Sequence, residues 1–491
     1  MYIENYSTEN IVNRMAKNTG WIIFGHLLNT AIGLITVTYL ARYLGSEGFG
    51  KYSFVYAYLW FFGIITDLGI NTILVRDISR DRAGAAIFIG NVIIIKLLLS
   101  ILTIFLSCLI IVYLKSSSEI RTLVFIGALG FIFSFGSVYR VIFQASLNMF
   151  YPTAINILDS IVKFILFMWL VAIRASLAKF VFATVVYILP GLFAIIYFSA
   201  RFVKPVFKVN FALWRNLLKE SWPLVFTAVF IIIYTRIDQL MLFHMKGARE
   251  VGYYAAAVRV VEIFTVIPAA FLTSVFPLMS TYFKTSRESL KLIYRLSFKY
   301  MLSIILPIAV GVSLLSKQIT VILYGKEFLP SVSALTILIW SEVFVFYGIV
   351  NQSILVSANK QKIDLMFTSV AAATNIVLNF ILIPNYGIAG ASIATVVSYS
   401  LGGGAITGFF LSSTRAYNVT AWKTMARPLI ASSVMAIFVY FLRPIPLMAV
   451  FGGALVFCAV MFFLRGIDQE DIRLIKAVFR KEKSQDLYTN L

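Results

Sequence analysis

Apolar runs of roughly 20 residues recur along this 491-residue chain, each long enough to cross a bilayer as a helix. Fourteen can be marked, at about 18–40, 52–75, 84–113, 121–145, 151–173, 177–199, 217–245, 252–281, 296–318, 331–357, 362–384, 387–412, 421–443 and 445–465. In hydrocarbon only a helix satisfies the backbone over segments this long that do not alternate polar and apolar residues. The expectation is an all-α integral membrane protein of about fourteen transmembrane helices. Composition agrees: 60% of residues are hydrophobic and 13% are charged, about half the charge of a soluble protein.

A net charge of +21 invites a nucleic-acid reading, but the cations are concentrated in short segments between the apolar runs. That placement follows the positive-inside rule instead. With a cytoplasmic N-terminus, inside segments carry about 26 of the 42 Lys and Arg, outside loops about 11 and spans about 5. Arg76, Arg80 and Arg82 form one inside cluster, and Arg201, Lys204, Lys208, Arg215 and Lys219 another. A multi-pass protein of the cytoplasmic membrane with both termini cytoplasmic is expected. The first 17 residues are polar, so no secretory signal peptide is expected. Cys108 and Cys458 both fall inside apolar runs and read as buried hydrophobes rather than as a disulfide or metal ligands. In the tail, Ile472, Ile475 and Phe479 keep helical spacing between an acidic start and a basic end, which predicts an amphipathic helix on the membrane surface.

The chain repeats. Leu40, Gly45, Gly50 and Tyr52 recur as Leu242, Gly247, Gly252 and Tyr254, each 202 residues on. Asn148 and Ala183-Thr-Val-Val186 recur as Asn359 and Ala394-Thr-Val-Val397, at an offset of 211. Spans 1–6 therefore resemble spans 7–12. Six is even, so both copies share one orientation, and a pseudo-two-fold along the membrane normal relates two six-helix bundles around a cavity. The expected domains are 1–17, a cytoplasmic N-terminus; 18–199, the first bundle; 200–216, a cytoplasmic linker; 217–412, the second bundle; 421–465, two added helices; and 466–491, a cytoplasmic tail. Pro190, Pro268, Pro277 and Pro307 interrupt spans and are candidates for kinks, static or hinging.

An ionisable group at the bilayer centre costs a few kcal/mol by insertion scales, so each needs a partner or water. Counting outward from the turn near residue 248 sets Asp238 level with Arg259 and Arg236 level with Glu262, and Arg259 and Glu262 also share a helix face at i,i+3, a four-member network. Counting from the turn near 149 sets Arg140 level with Asp159, and Asp159 and Lys163 form an i,i+4 pair, acid first. Lys96, Glu342 and Asp67 also lie within spans. Lys96 and Glu342 have no nearby partner in sequence, which suits a water-filled cavity. The alternative for every pair is structural ion pairing that fixes helix packing. With two histidines in all, His26 and His244, and no phosphate loop, Cys/His metal spacing or nucleophile elbow, the chain is read as a transporter without cofactor or metal and not as an enzyme.

Several stretches resemble a known family: Tyr39-Leu-Ala-Arg-Tyr-Leu-Gly-Ser-Glu-Gly-Phe-Gly-Lys-Tyr52, Asp67-Leu-Gly-Ile-Asn-Thr-Ile-Leu-Val-Arg76, Arg236-Ile-Asp-Gln-Leu-Met-Leu242, Val251-Gly-Tyr-Tyr-Ala-Ala-Ala257 and Leu378-Asn-Phe-Ile-Leu-Ile-Pro-Asn-Tyr-Gly-Ile-Ala-Gly-Ala391. They are similar to the polysaccharide and oligosaccharide flippases of the multidrug/oligosaccharidyl-lipid/polysaccharide exporter superfamily. The resemblance implies two six-helix bundles that move a polyprenyl-diphosphate-linked oligosaccharide across the cytoplasmic membrane by alternating access, for surface polysaccharide or glycan assembly. It also implies lipid-linked oligosaccharide and membrane lipids as partners, possible coupling to protons or sodium, a polysaccharide polymerase as a possible neighbour, and no nucleic acid. A diphosphate needs cations, and Arg can grip it with two hydrogen bonds. Arg140, Lys163, Arg236, Arg259 and Lys96 are thus candidate substrate contacts. Asp67, Asp159, Asp238, Glu262 and Glu342 are candidates for gating or ion coupling.

Three alternatives stand beside this reading. A cation-coupled multidrug antiporter of the same superfamily would favour an interior with excess acid, whereas here five intramembrane cations face about five acids. A flippase for the lipid-linked peptidoglycan precursor is chemically close. A membrane glycosyltransferase would need a sizeable soluble loop, and none exceeds about 20 residues.

Overall fold

The computed structural model describes residues 8–81, 84–358, 360–414 and 419–466. Most of these residues are helical, with no strand among them. The amphipathic tail helix expected around Ile472, Ile475 and Phe479 lies outside the described residues. The helices are α1 (Thr8–Asp67), α2 (Ile70–Arg80), α3 (Ala85–Tyr113), α4 (Ser118–Ala128), α5 (Gly136–Ala145), α6 (Phe150–Ala172), α7 (Leu177–Val186), α8 (Leu189–Ser199), α9 (Phe211–Lys246) and α10 (Ala248–Glu262). There follow α11 (Val266–Thr285), α12 (Arg287–Leu314), α13 (Ser316–Tyr324), α14 (Ser331–Ser357), α15 (Gln361–Thr414), α16 (Val419–Leu442) and α17 (Pro446–Phe463).

Eleven segments of the described residues are long and apolar enough to cross a membrane. Two of them exceed what one crossing needs, Asn18–Arg80 with 63 residues and Gln361–Gly402 with 42. Each contains a glycine corner, Gly45 (φ 66, ψ 179) and Gly387 (φ 54, ψ −129), in backbone regions that side-chain-bearing residues seldom enter. Each long segment therefore turns at its glycine corner rather than running as one straight helix. A shorter apolar helix covers Ala426–Leu442.

The chain divides into two compact units, Met1–Val266 with Asn375–Ala391, and Ile267–Thr374 with Ser392–Leu491. In the first, the repeat read from sequence is visible in the backbone. Gly247, the counterpart of Gly45, has φ 91 and ψ 177, matching the corner at Gly45. A methyl group on Gly50 would strike the Ala248 carbonyl, and one on Gly252 would strike the Ser46 carbonyl. The two turns pack reciprocally, and glycine is what permits the backbones to meet.

Helix breaks fall where the sequence reads as continuous span. Leu68 (φ 45) and Gly69 (φ 76) separate α1 from α2. A 3₁₀ segment, Leu129–Phe135, separates α4 from α5, and another, Ile263–Thr265, follows α10. Pro190 sits in the first turn of α8, where its missing N–H costs nothing. Pro307 lies inside α12.

The linker after α8 is tied down rather than free. Asn91 on α3, fully buried, donates to the carbonyls of Ile87 and Lys208 at 2.9 and 2.8 Å. Its amide oxygen accepts from the Asn210 N–H at 2.9 Å and the Trp214 indole at 2.8 Å. The Val206 N–H reaches the Ala86 carbonyl at 2.9 Å, and Gly90 gives the Val206 backbone room to approach.

The second unit is held by packing among α12, α14, α16 and α17 and by buried hydroxyl and amide pairs. Tyr294 donates to Asn351 at 2.8 Å, and the Trp340 indole to Ser313 at 3.1 Å. Between the expected spans 9 and 10, where a loop is expected, the chain forms α13 and a 3₁₀ turn, Lys326–Phe328, hinged at Gly325 (φ 89).

Candidate functional site

The first unit encloses a cavity of about 580 Å³. Its walls come from α1, α5, α6, α10, the α7–α8 junction and the 3₁₀ turn after α10, and three cations, Arg140, Lys163 and Arg259, line it against two carboxylates, Asp159 and Glu262. The balance is positive.

On one wall, Arg140 of α5 reaches across to α6. It donates to the Asn156 side-chain oxygen and, at 3.4 Å, to Asp159. The level placement of Arg140 and Asp159 read from the turn near 149 thus becomes an ion pair. The Asp159 carboxyl lies directly over Gly191 of α8, where any side chain would collide with it. At the next residue of α6, the Ser160 hydroxyl donates to Asn29 of α1 at 2.9 Å.

The expected i,i+4 pairing of Asp159 with Lys163 is replaced by a different arrangement. Asp159 turns to Arg140, and the Lys163 ammonium lies 5.4 Å from the Phe167 ring centroid and 5.3 Å from that of Tyr187. Aromatic faces carry negative charge density and attract a cation, and they leave it available to a further anion. Among the described residues Lys163 makes no salt bridge.

On the facing wall, Glu262 of α10 is bridged by two arginines, Arg236 at 2.7 Å and Arg259 at 2.9 Å. Arg236 also lies 5.0 Å from the Trp60 ring centroid. The depth matching of Arg236 with Glu262 therefore holds, whereas Arg259 pairs with Glu262 rather than with Asp238. Asp238, 3% exposed, accepts from the Tyr254 hydroxyl and from the Gln239 N–H at 2.7 Å.

Lys96 differs from its expected setting. It is 1% exposed and donates to Asp67 at 2.5 Å and to Ser137 at 2.9 Å, and it is not among the residues lining the cavity. A long-range acid takes the place of the expected water-filled surroundings. Glu342 belongs to the second unit, buried on α14.

Charge-based reading of the sequence missed the neutral lining: Asn29, Asn156, Ser160 and Tyr187. For Asn29 and Asn156 the signal was an amide deep inside an apolar run, where a polar side chain needs a partner or water. Among the described residues, no cluster of three or more His, Cys, Asp or Glu could hold a metal ion.

The profile of the family described as "Polysaccharide biosynthesis protein" matches residues 15–283, and that of the MatE family matches 223–381. A Shigella flexneri protein assigned as an O-antigen transporter is 24% identical over 407 residues, covering 77% of this chain and 93% of that protein. The capsular polysaccharide biosynthesis protein CapF of Staphylococcus aureus is 20% identical over 398 residues, 78% of this chain and 96% of CapF. Among solved structures, the lipid II flippase MurJ in an inward closed conformation superposes with TM-score 0.73 at 18% identity, over 92% of this chain and 99% of MurJ. An inward-facing multidrug resistance transporter of the MATE family gives TM-score 0.65 at 16% identity, over 79% and 94%. These likenesses show an all-helical fold shared with MurJ and the MATE transporters. With its profile matched over more than half of the chain, the protein belongs to the polysaccharide biosynthesis protein family.

Proposed function

We propose that this protein is a flippase that carries a polyprenyl-diphosphate-linked oligosaccharide across the cytoplasmic membrane by alternating access, supplying cell-surface polysaccharide or glycan assembly. The observation that carries this reading is the positive cavity of the first unit, with Lys163 held by aromatic rings and, among the described residues, in no salt bridge. A diphosphate entering the cavity would meet Lys163, Arg259 and Arg140 while Asn29, Asn156 and Ser160 offer hydrogen bonds to sugar hydroxyls. Away from bulk water such charge-assisted hydrogen bonds gain strength. The relatives assigned to O-antigen transport and capsule synthesis support a glycan-bearing substrate.

In this reading the chain crosses the membrane fourteen times, as bundles 18–199 and 217–412 followed by 421–465. The arginine and lysine clusters put both termini in the cytoplasm, so the turns at Gly45 and Gly247 face outward. Glu262, clamped by two arginines, is suited to gating, since a diphosphate arriving at Arg259 competes for the same guanidinium. Asp67, Asp238 and Glu342 are the candidates for proton or sodium coupling, and a polymerase is the natural recipient of the product.

A multidrug antiporter is the second reading, and the cationic cavity disfavours a cationic drug. The two separate in proteoliposomes loaded with fluorescent undecaprenyl-diphosphate oligosaccharide, with and without a proton gradient. The flippase moves the lipid, and Lys163→Gln and Arg259→Gln each slow it by about tenfold or more, the loss of one charge-assisted hydrogen bond. Efflux of a cationic dye with no lipid translocation would establish the antiporter instead.

A further inference from the structure

The cavity does not end at Lys163 and Arg259. A second lobe of about 490 Å³ continues from it, also within the first unit, and the two share Tyr52, Lys163, Tyr187, Ile188 and Arg259. The cations thus stand at a junction rather than at an end. The second lobe has a different wall. Tyr56, Trp60, Phe131 and Tyr187 present aromatic surface into it, with the Thr184 hydroxyl among them.

We propose that this second lobe is a saccharide subsite, in which the sugar distal to the diphosphate stacks on Trp60 and neighbouring rings; the proposal rests on the flippase reading above. A pyranose has C–H faces and a rim of hydroxyls. It therefore fits a site that combines flat aromatic surface with scattered hydroxyl and cationic groups, and an isoprenoid does not need the latter. A lipid-linked substrate has three parts, and the isoprenoid is already at home in the hydrocarbon. With the phosphates at the junction, the lobe beyond them is left for sugar.

Trp60 carries the argument furthest. It lies mid-span and is 54% exposed, yet it cannot simply be a lipid-facing residue, because the Arg236 guanidinium sits 5.0 Å from its ring and Glu262 anchors that guanidinium at 2.7 Å. Ion pairs of this kind avoid lipid. An indole propped by an arginine is a preset platform: its orientation is fixed before the ligand arrives.

The same lobe can be filled without disturbing its frame. A methyl on Gly130 would meet the nearest neighbour, Val185, at 3.8 Å, and one on Gly63 would meet Phe131 at 3.7 Å. Both are ordinary contacts, so a side chain at Gly130 starts without a clash, and Gly130→Leu extends from there into the lobe.

The test compares two probes in proteoliposomes, undecaprenyl diphosphate bearing a single N-acetylglucosamine and the same lipid bearing a tetrasaccharide. Trp60→Ala and Gly130→Leu each raise KM for the tetrasaccharide probe by about tenfold, the scale of one lost aromatic stacking contact. Transport of the monosaccharide probe stays within about twofold of wild type in both. Lys163→Gln, by contrast, slows both probes alike. If both variants handle the two probes as wild type does, or lose both equally, the subsite is overturned and the flippase reading stands. If wild type moves neither probe, the flippase reading itself fails and the subsite with it.

Discussion

Gly50 and Gly252 stand at equivalent positions of the internal repeat, and each lies against the other's turn: Gly50 on the Ala248 carbonyl, Gly252 on the Ser46 carbonyl. Ser46 and Ala248 are themselves equivalent, so the contact is its own counterpart under exchange of the repeats. It sits at the corner end of the first unit, next to Tyr52 in the wall of both cavity lobes. On the proposed topology this is the outer face.

The obstacle to any side chain here is backbone, which cannot swing aside. Gly50→Ala and Gly252→Ala are each expected to pry the turns apart and to destabilise the protein by about 1–3 kcal/mol, the usual cost of overpacking. Flipping falls as well, since alternating access requires the outer face to close. Thermal unfolding in detergent measures the first effect, and an unshifted midpoint in both variants would refute the interlock. Gly33, with open space where a methyl would go, serves as the control: Gly33→Ala leaves the midpoint alone.

Buried Lys96 and Asp67 form an unequal pair. Lys96 is 1% exposed and the Asp67 side chain 36%. Removing the acid strands an ammonium in the interior, whereas removing the lysine leaves a carboxylate that water can reach. Asp67→Asn is expected to cost about 3 kcal/mol and Lys96→Met about 1 kcal/mol, with the double variant close to Lys96→Met alone. Chemical or thermal unfolding of the three variants decides it. Equal losses for the two single changes would mean that the environment treats both charges alike.

The site was legible where ladder-like counting applies. Arg140 and Asp159 flank one turn at equal depth, and helices joined by a short turn are antiparallel neighbours, so equal depth becomes contact. The same logic reached Arg236 and Glu262. It was not applied to Lys96, which was left without a partner although Asp67 and Lys96 lie at nearly matched distances from the turn between Arg80 and Ala85. The break at Leu68–Gly69 obscures this, because it ends α1 immediately after Asp67. Lys163 was harder. Its favourable i,i+4 relation to Asp159 is a local preference worth only a few tenths of a kcal/mol, and Arg140 from another helix outcompetes it. Trp60, Asn29 and Asn156 carry no charge, so a search for ionisable intruders passed over them. The corners at Gly45 and Gly247 were visible as repeated letters, but their reciprocal packing follows from three-dimensional symmetry that sequence spacing does not contain.

Asn91 holds the linker between the repeats by four hydrogen bonds, two given and two received. An amide is the group for this task, because one short planar side chain offers both donors and acceptor. Asn91→Ala leaves the Lys208 carbonyl, the Asn210 N–H and the Trp214 indole without their partner. Asn91 is fully buried, so water does not simply replace it, and each orphaned group costs about 1–3 kcal/mol if it stays dry. Release of the segment limits that loss, because Lys208 and Asn210 regain solvent once the strap lifts from α3. The expected result is therefore a modest drop in global stability, about 1–2 kcal/mol, together with a large increase in proteolytic cleavage between residues 200 and 216. Asn91→Asp keeps the acceptor for Asn210 and Trp214 but gives up the donor to Lys208, and falls between wild type and Asn91→Ala. Limited trypsin digestion followed by mass spectrometry reads the order directly, through cleavage after Arg201 and Lys208. Equal protection of all three forms would show that the Val206 to Ala86 hydrogen bond and the packing of Gly90 hold the linker without Asn91.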